Sequence, residues 1–286
     1  MPTTLTSNGT PVPFDAAHFA PLRVSSEAVS DPPTLRERYL EDGYLYLPGF
    51  FPAEVSVEMR SAYFSLFENG YLASGSTPAD GIFSGRAPEG LPPHGVAGHP
   101  AHTFVRGREF ERFASQPEML ALAEAVLGGP ASRLPRSIVR HFDRSSGRAS
   151  RAHTDYTYLD GGSDRLLTMW VPFGDCSLRS GGLVYLEGSH ELDDDALAPL
   201  RARTDRPGDA RPLSHDLAWV AESTRRRWLW ADFKAGDVAV HSPHMVHASV
   251  DTATDAMRLS ADIRFIRDGD DVDPRWIKPW SGDDGN

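Results

Sequence analysis

After Gly129 the chain changes character, and that change constrains its fold more than any other feature of the sequence. Short runs rich in β-branched and aromatic residues follow one another: SIVRHF (137–142), HTDYTYL (153–159), RLLTMWVPF (165–173), GGLVYLEGSH (181–190), DVAVHS (237–242), MVHASV (245–250) and RLSADIRF (258–265). Clusters of Gly, Pro, Asp and Ser separate most of them, and each run has the length of a strand rather than a helix. Such a series predicts antiparallel strands closed into a sandwich or barrel.

The part before Gly129 reads differently. Asp31 followed by Pro32 and Pro33 marks a helix start, and Gly43 closes that helix. YLYL (44–47) is a short strand. A second helix starts near Pro52, with Val55, Met59, Tyr63 and Leu66 recurring at three- and four-residue steps. Residues 69–103, rich in Gly, Pro and His, form a long loop, and residues 109–129 are helical with a break at Pro117. Residues 1–30 are expected to be an extended arm, and residues 191–228, with DDD at one end and RRR at the other, a polar insertion. No repeat or clear linker divides the chain, so one domain is expected over 1–286: the arm, a helical layer with its long loop (31–129), and a barrel (130–277). The fold class is mainly β with flanking α.

Composition narrows the function. Against 40 Asp+Glu stand 29 Lys+Arg, a formal net charge of −11, which argues against nucleic-acid binding and for a small-molecule substrate. Cys176 is the single cysteine, so no internal disulfide can form. The opening lacks a basic segment followed by an apolar one, and no stretch approaches the roughly 18 apolar residues that a membrane span needs. A soluble cytoplasmic protein is expected; no oligomeric partner can be read from the sequence.

The chemistry-bearing residues lie in the β-rich part. Within HTDYTYL read as a strand, His153 and Asp155 point to one face and Thr154 to the other. Two histidines and one carboxylate on one face hold non-haem iron(II) and leave positions open for co-substrate and O₂. The segment GDVAVHSPHMVHASV supplies three histidines for the missing place, His241, His244 and His247. Pro243 breaks the strand near His244, whereas His247 begins a fresh β-like run with Ser249 on the same face. In RLSADIRF, Arg258, Ser260, Asp262 and Arg264 share one face, and Leu259, Ala261, Ile263 and Phe265 the other. Arg258 suits a bidentate grip on a carboxylate. Its ordinary alternative is a structural ion pair with Asp262, and Arg264 on the same face is the competing cation.

Taken together, HTD, a distal His247 with Ser249, and Arg258 eleven residues beyond it resemble the phytanoyl-CoA dioxygenase family of Fe(II)/2-oxoglutarate-dependent oxygenases. The blocks LLTMWVPFGD, GGLVYLEGSH, AGDVAVHSPHMVHASV and RLSADIRF carry the same likeness, over roughly residues 35–277. The resemblance implies a double-stranded β-helix, a jelly-roll barrel with iron near one open end. It implies Fe(II), 2-oxoglutarate and O₂ as cofactors, the 2-oxoglutarate being oxidatively decarboxylated to succinate and CO₂. It makes His153, Asp155 and His247 the metal ligands, Arg258 the partner of the distal carboxylate of 2-oxoglutarate, and Ser249 its hydroxyl helper. It sets Trp170 beside the co-substrate and gives Arg140 a contact with co-substrate or substrate. His241 and His244 then line the pocket or stand behind the ligands.

The expected reaction is hydroxylation of an unactivated C–H bond in a small organic molecule. High Ala, Arg, Asp, Gly and Pro content suits a GC-rich bacterial source, and family members of that kind often tailor secondary metabolites. Desaturation, epoxidation or cyclisation are rival outcomes of the same cofactors. A halogenase is disfavoured by Asp155, which stands where halogenases of this kind carry a small residue. A non-catalytic jelly-roll binding protein is disfavoured by the complete ligand set. The cluster Arg140, Arg144, Arg148 and Arg151 either recognises an anionic substrate or is a solvated loop, and the loop 69–103 and the insertion shape the pocket.

Overall fold

A computed structural model describes residues 3–67, 70–145, 149–206, 208–209 and 211–282. The chain opens with a hairpin, β1 (Thr4–Ser7) and β2 (Thr10–Pro13), then β3 (Phe19–Pro21). The helical layer follows as α1 (Pro32–Asp42), β4 (Tyr44–Leu47), α2 (Ala53–Phe64), α3 (Pro100–Val105), α4 (Arg108–Ala114) and α5 (Pro117–Leu127). Gly43 and Gly128 end α1 and α5 in the left-handed conformation, at φ 75° and 71°, where a side chain would be strained. The expected break at Pro117 separates α4 from α5, because proline cannot donate the hydrogen bond that would continue α4.

The β-rich half runs β5 (Ala131–Arg133), β6 (Ile138–Phe142), α6 (Tyr156–Leu159), β7 (Leu166–Pro172), β8 (Leu183–Leu186), α7 (Asp194–Ala202), α8 (Leu217–Thr224), β9 (Trp228–Trp230), β10 (Val238–His241), β11 (His247–Ser249) and β12 (Arg258–Arg267). Two sheets face one another, as in a jelly roll. The larger is ordered β4-β10-β7-β12-β5, with β6 also paired to β12; the smaller is β11-β8-β9-β3. Among the described residues the pairings between these strands are antiparallel except β3 with β9.

Both faces of β4, β7, β8, β10 and β11, and of β12 as far as Ile266, are buried, yet the period of two still sorts their residues. On the larger sheet Leu45, Leu47, Met169, Val171, Val240, Leu259, Ala261, Ile263 and Phe265 pack into one apolar core with residues of α1, α2, α4 and α5. Tyr44, Tyr46, Trp170 and Ala239 alternate with them and meet Leu183 and Tyr185 of β8 between the sheets. On the smaller sheet Val184, Leu186 and Ala248 turn outward to a third core with α7 and α8. The space between the sheets therefore receives the polar residues of β12 and of β11.

Three expectations need correction. Residues 3–30 are not simply an extended arm: β3 extends the smaller sheet, and Asp251 accepts hydrogen bonds from Asn8 N and Gly9 N in the hairpin turn, at 2.8 and 2.9 Å. The insertion 191–228 is not merely polar, since Leu197, Leu200, Leu217 and Val220 of its helices are buried. HTDYTYL is not a strand. His153 makes a single β-bridge, after which the chain turns into the one-turn helix α6.

Candidate metal centre and its cavity

His153 and His247 face each other across that bridge, with His153 N donating to His247 O at 3.0 Å and His247 N to His153 O at 2.9 Å. Each ring is aimed the same way. His153 Nδ1 lies 2.7 Å from the Arg151 carbonyl and His247 Nδ1 lies 3.0 Å from the Met245 carbonyl, both two residues upstream. A carbonyl only accepts, so the proton sits on Nδ1 and each Nε2 presents a lone pair. Asp155, at φ −64° and ψ −30°, begins the turn of α6 and swings its carboxylate to the same point. One ligand atom from each of His153, Asp155 and His247 lies within 4.8 Å of the others. The convergence expected from strand alternation is thus achieved by a bridge followed by a turn.

Asp155 is buried and its two oxygens are used differently. Oδ2 accepts from Thr168 Oγ1 at 2.6 Å and from Arg264 Nη2 at 2.9 Å, with His241 Nε2 at 3.5 Å. Oδ1 faces His247 Nε2 at 3.9 Å. Burial pushes this carboxyl up, but Arg264 above all, with His241 and His247, holds it well below the usual carboxylate range. Burial also lowers His153 and His247, keeping both rings neutral. Two neutral nitrogens and one carboxylate oxygen, all oriented by further hydrogen bonds, fit a divalent iron ion. Arg264 is held in turn over the ring of Trp276, 4.3 Å from its centroid, and Trp276 Nε1 donates to Tyr158 O at 2.7 Å.

Arg258 has a different setting. It is buried; Nη1 donates to Gly181 O at 2.6 Å, and Nη2 is 3.4 Å from Ser260 Oγ. Its guanidinium lies over Phe142 and Trp170, at 4.9 and 5.5 Å. Its Nε has no hydrogen-bond partner among the described residues, nor has Trp170 Nε1. Among the described residues no carboxylate comes within ion-pair distance of it. The alternative partner Asp262 is bonded instead to Arg140 Nε at 3.1 Å. Ser249 Oγ accepts from Ser150 N at 2.8 Å and keeps its own proton to donate.

The other histidines of the motif stand outside the ligand set. His241 Nδ1 pairs with the Tyr185 hydroxyl at 2.9 Å. His244 is partly exposed, packed on Tyr156 with ring centroids 4.5 Å apart, and 3.3 Å from Asp164.

A cavity of about 520 Å³ opens onto His153 and Asp155. Residues of the loop after α2, among them Tyr71, Leu91, Pro92 and His94, line it, as do Arg206 and Pro212 of the insertion. Of the arginine cluster, Arg144 pairs with Asp255 at 2.7 Å and Arg151 with Asp205 at 2.6 Å; Arg148 lies outside the described residues. Sequence reasoning missed Thr168, Tyr185 and Trp276. A signal existed for Thr168: it is the one polar residue in LLTMWVP and shares a strand face with Trp170.

The family model for phytanoyl-CoA dioxygenase (PhyH) matches residues 39–260. Solved structures share the fold. The non-heme alpha ketoglutarate dependent epimerase SnoN from nogalamycin biosynthesis is 22% identical, with TM-score 0.59 over 86% of this chain and 86% of that one. The carbocyclase SnoK from the same biosynthesis is 20% identical, with TM-score 0.58 over 89% and 90%. EctD from S. alaskensis is 19% identical, with TM-score 0.58 over 94% and 88%. SnoN has also been solved with Fe³⁺, alpha ketoglutarate and nogalamycin RO.

Proposed function

The chain belongs to the phytanoyl-CoA dioxygenase family, and on that premise we propose that it is an iron/2-oxoglutarate-dependent oxygenase that hydroxylates a small organic molecule. One observation carries the reading: His153, Asp155 and His247 bring three ligand atoms within 4.8 Å of one another. When bound, iron and 2-oxoglutarate supply the oxidising chemistry: one atom of O₂ leaves in succinate as CO₂ is released, and the other enters the substrate.

The chain's own residues bind and orient. His153 and His247 offer Nε2 because backbone carbonyls occupy Nδ1. Thr168 and Arg264 hold Asp155 through Oδ2, which leaves Oδ1 for the metal. We assign the distal carboxylate of 2-oxoglutarate to Arg258. An unpaired buried guanidinium is costly, and burial already lowers this one, so an incoming carboxylate gains a partner that the fold withholds. Ser249 donates its free proton to the same carboxylate, and the Trp170 ring walls that end of the site. Arg140, aligned by Asp262 on the cavity wall, is assigned to contact with substrate or co-substrate.

SnoN is described as an epimerase and SnoK as a carbocyclase, which favours keeping a second outcome in view. On the same residues the reaction can end in epimerisation, cyclisation, desaturation or epoxidation. Turnover in ¹⁸O₂ separates most of these. Candidate substrates are first screened for coupled succinate formation; the product should then carry one ¹⁸O if it is hydroxylated. A product without label would replace hydroxylation with epimerisation, cyclisation or desaturation. Absence of any iron or 2-oxoglutarate binding would instead leave a jelly-roll binding protein.

A further inference from the structure

Apart from the metal ligand His153, the cavity carries three histidines, His94, His99 and His141, and they are not equivalent. His141 has both nitrogens engaged, Nδ1 with the Tyr63 hydroxyl and Nε2 with the Tyr71 hydroxyl, each at 3.0 Å. Tyr71 donates its proton to the Asp143 carboxylate at 3.0 Å, so it accepts from His141 Nε2, and Tyr63 donates to Nδ1. That chain is closed upon itself and ties the loop after α2 to β6.

His94 and His99 each keep one nitrogen. His94 Nε2 is 2.8 Å from the Val139 carbonyl, which only accepts. The proton therefore sits on Nε2, and Nδ1 is a bare lone pair. His99 Nδ1 accepts the Ala101 amide at 3.1 Å as the cap of α3, so its Nε2 carries the N–H. Among the described residues neither His94 Nδ1 nor His99 Nε2 has a hydrogen-bond partner. Burial, reinforced by the neighbouring histidines and, for His94, by Arg140, lowers His94 to about 3 and His99 to about 4, so both rings are neutral at pH 7. Their centroids are 5.1 Å apart. An uncharged acceptor and an uncharged donor thus stand side by side on a wall shared with Leu91, Pro92 and Pro93.

The charges around them point the same way. Three of the four arginines lining the cavity are matched by the chain's own carboxylates: Arg140 with Asp262, Arg151 with Asp205, and Arg264 with Asp155. The fourth, Arg206, is exposed. These pairings offset most of the positive charge of the cavity's own arginines.

We propose that His94 and His99 form a specificity subsite for an uncharged part of the substrate, one presenting a hydrogen-bond donor beside an acceptor, as hydroxyl or amide groups do. The inference rests on reading this cavity as the oxygenase's substrate site. The apolar wall and the neutral pair together fit a substrate with a hydrocarbon body and uncharged polar substituents. A group that fails to satisfy the pair leaves a buried polar atom without a partner, and that penalty is what discriminates.

The test uses full-length protein loaded with zinc(II), a diamagnetic ion suited to the same ligands, and 2-oxoglutarate. Side-chain ¹⁵N signals of histidine are followed as four probes of one shape are added: cis-cyclohexane-1,2-diol, cyclohexanecarboxamide, cyclohexanecarboxylate and cyclohexylammonium. Both His94 and His99 should show a protonated Nε2 and a bare Nδ1. The diol or the amide should move both sets of signals, the larger response showing which source of the chemistry is preferred; the two ions should move neither. In His99→Asn the side-chain oxygen can keep the cap on Ala101 while the imidazole Nε2–H at the far edge of the ring is lost. Binding of the responding probe should then weaken about two- to tenfold, the value of one uncharged hydrogen bond, while 2-oxoglutarate binding is unchanged. Preference for either ion, silence to all four probes, or undiminished binding in His99→Asn overturns the proposal. A parallel titration of 2-oxoglutarate keeps the two readings apart: if it binds and the neutral probes do not, the subsite alone fails.

Discussion

Arg264 and Arg258 leave the same face of β12 and are equally buried, at 2% exposure each, but they end on different kinds of partner. Arg264 reaches a carboxylate of its own chain, Asp155, which Thr168 also holds. Arg258 reaches a backbone carbonyl, a serine hydroxyl and two aromatic rings. Residue type, strand and burial are the same, so the difference lies in what the opposing elements supply. At one end of the space between the sheets the charges are already matched and serve to orient a metal ligand. At the other a guanidinium is kept without a counter-charge. The first end resembles a finished structure; the second has the character of a receptor.

Removing a metal ligand should have the largest effect. Asp155→Ala and His247→Ala should each weaken iron binding sharply and abolish turnover, measured as metal content and succinate release, because one of the three ligand groups and its orienting role are lost. Asp155→Ala also strands Arg264, so thermal or denaturant unfolding should show a loss of about 3–5 kcal/mol. Retained turnover in Asp155→Ala would remove that residue from the ligand set.

Arg264→Met breaks the matched end while leaving the ligands in place. Iron affinity should fall about 10- to 100-fold, the usual cost of losing an outer-shell partner. The 2-oxoglutarate affinity measured at saturating iron should stay near that of the unaltered chain. If 2-oxoglutarate is lost instead, the two ends of β12 have been assigned the wrong way round.

Thr168→Val should give the smallest change. It removes one hydrogen bond to Asp155 Oδ2 in a nearly isosteric side chain. A loss of about 1.5–3 kcal/mol in stability is expected, the range for a hydrogen bond to a charged acceptor, with a small weakening of iron binding. An effect as large as that of Arg264→Met would show that the hydroxyl, not the guanidinium, sets the carboxylate's direction.

Much of this arrangement was legible in the sequence, and what was not has physical causes. The inward face of β12 could be read because Arg258, Ser260, Asp262 and Arg264 alternate with apolar residues that enter the helix-side core. The metal motif could be read for a partly wrong reason: Thr and Tyr give HTDYTYL the composition of a strand, but a turn at Asp155 is what brings its carboxylate to His247. The amino-terminal hairpin carried a signal that was passed over, Asn8–Gly9, whose φ values of 50° and 77° are those of a tight hairpin turn. The buried leucines of the insertion were masked by the acidic and basic runs at its ends. The Arg264–Asp155 pair joins residues 109 apart in sequence and depends on how the barrel closes, which local patterning does not encode.

The contrast between the two arginines is tested most directly by titrating 2-oxoglutarate anaerobically into iron-loaded Arg258→Ala and Arg264→Ala. Arg258→Ala should weaken binding by about 2–5 kcal/mol, the cost of removing one partner from a buried charge pair. Arg264→Ala, at saturating iron, should bind the co-substrate almost as the unaltered protein does. Loss of 2-oxoglutarate in Arg264→Ala, with affinity retained in Arg258→Ala, would contradict the account.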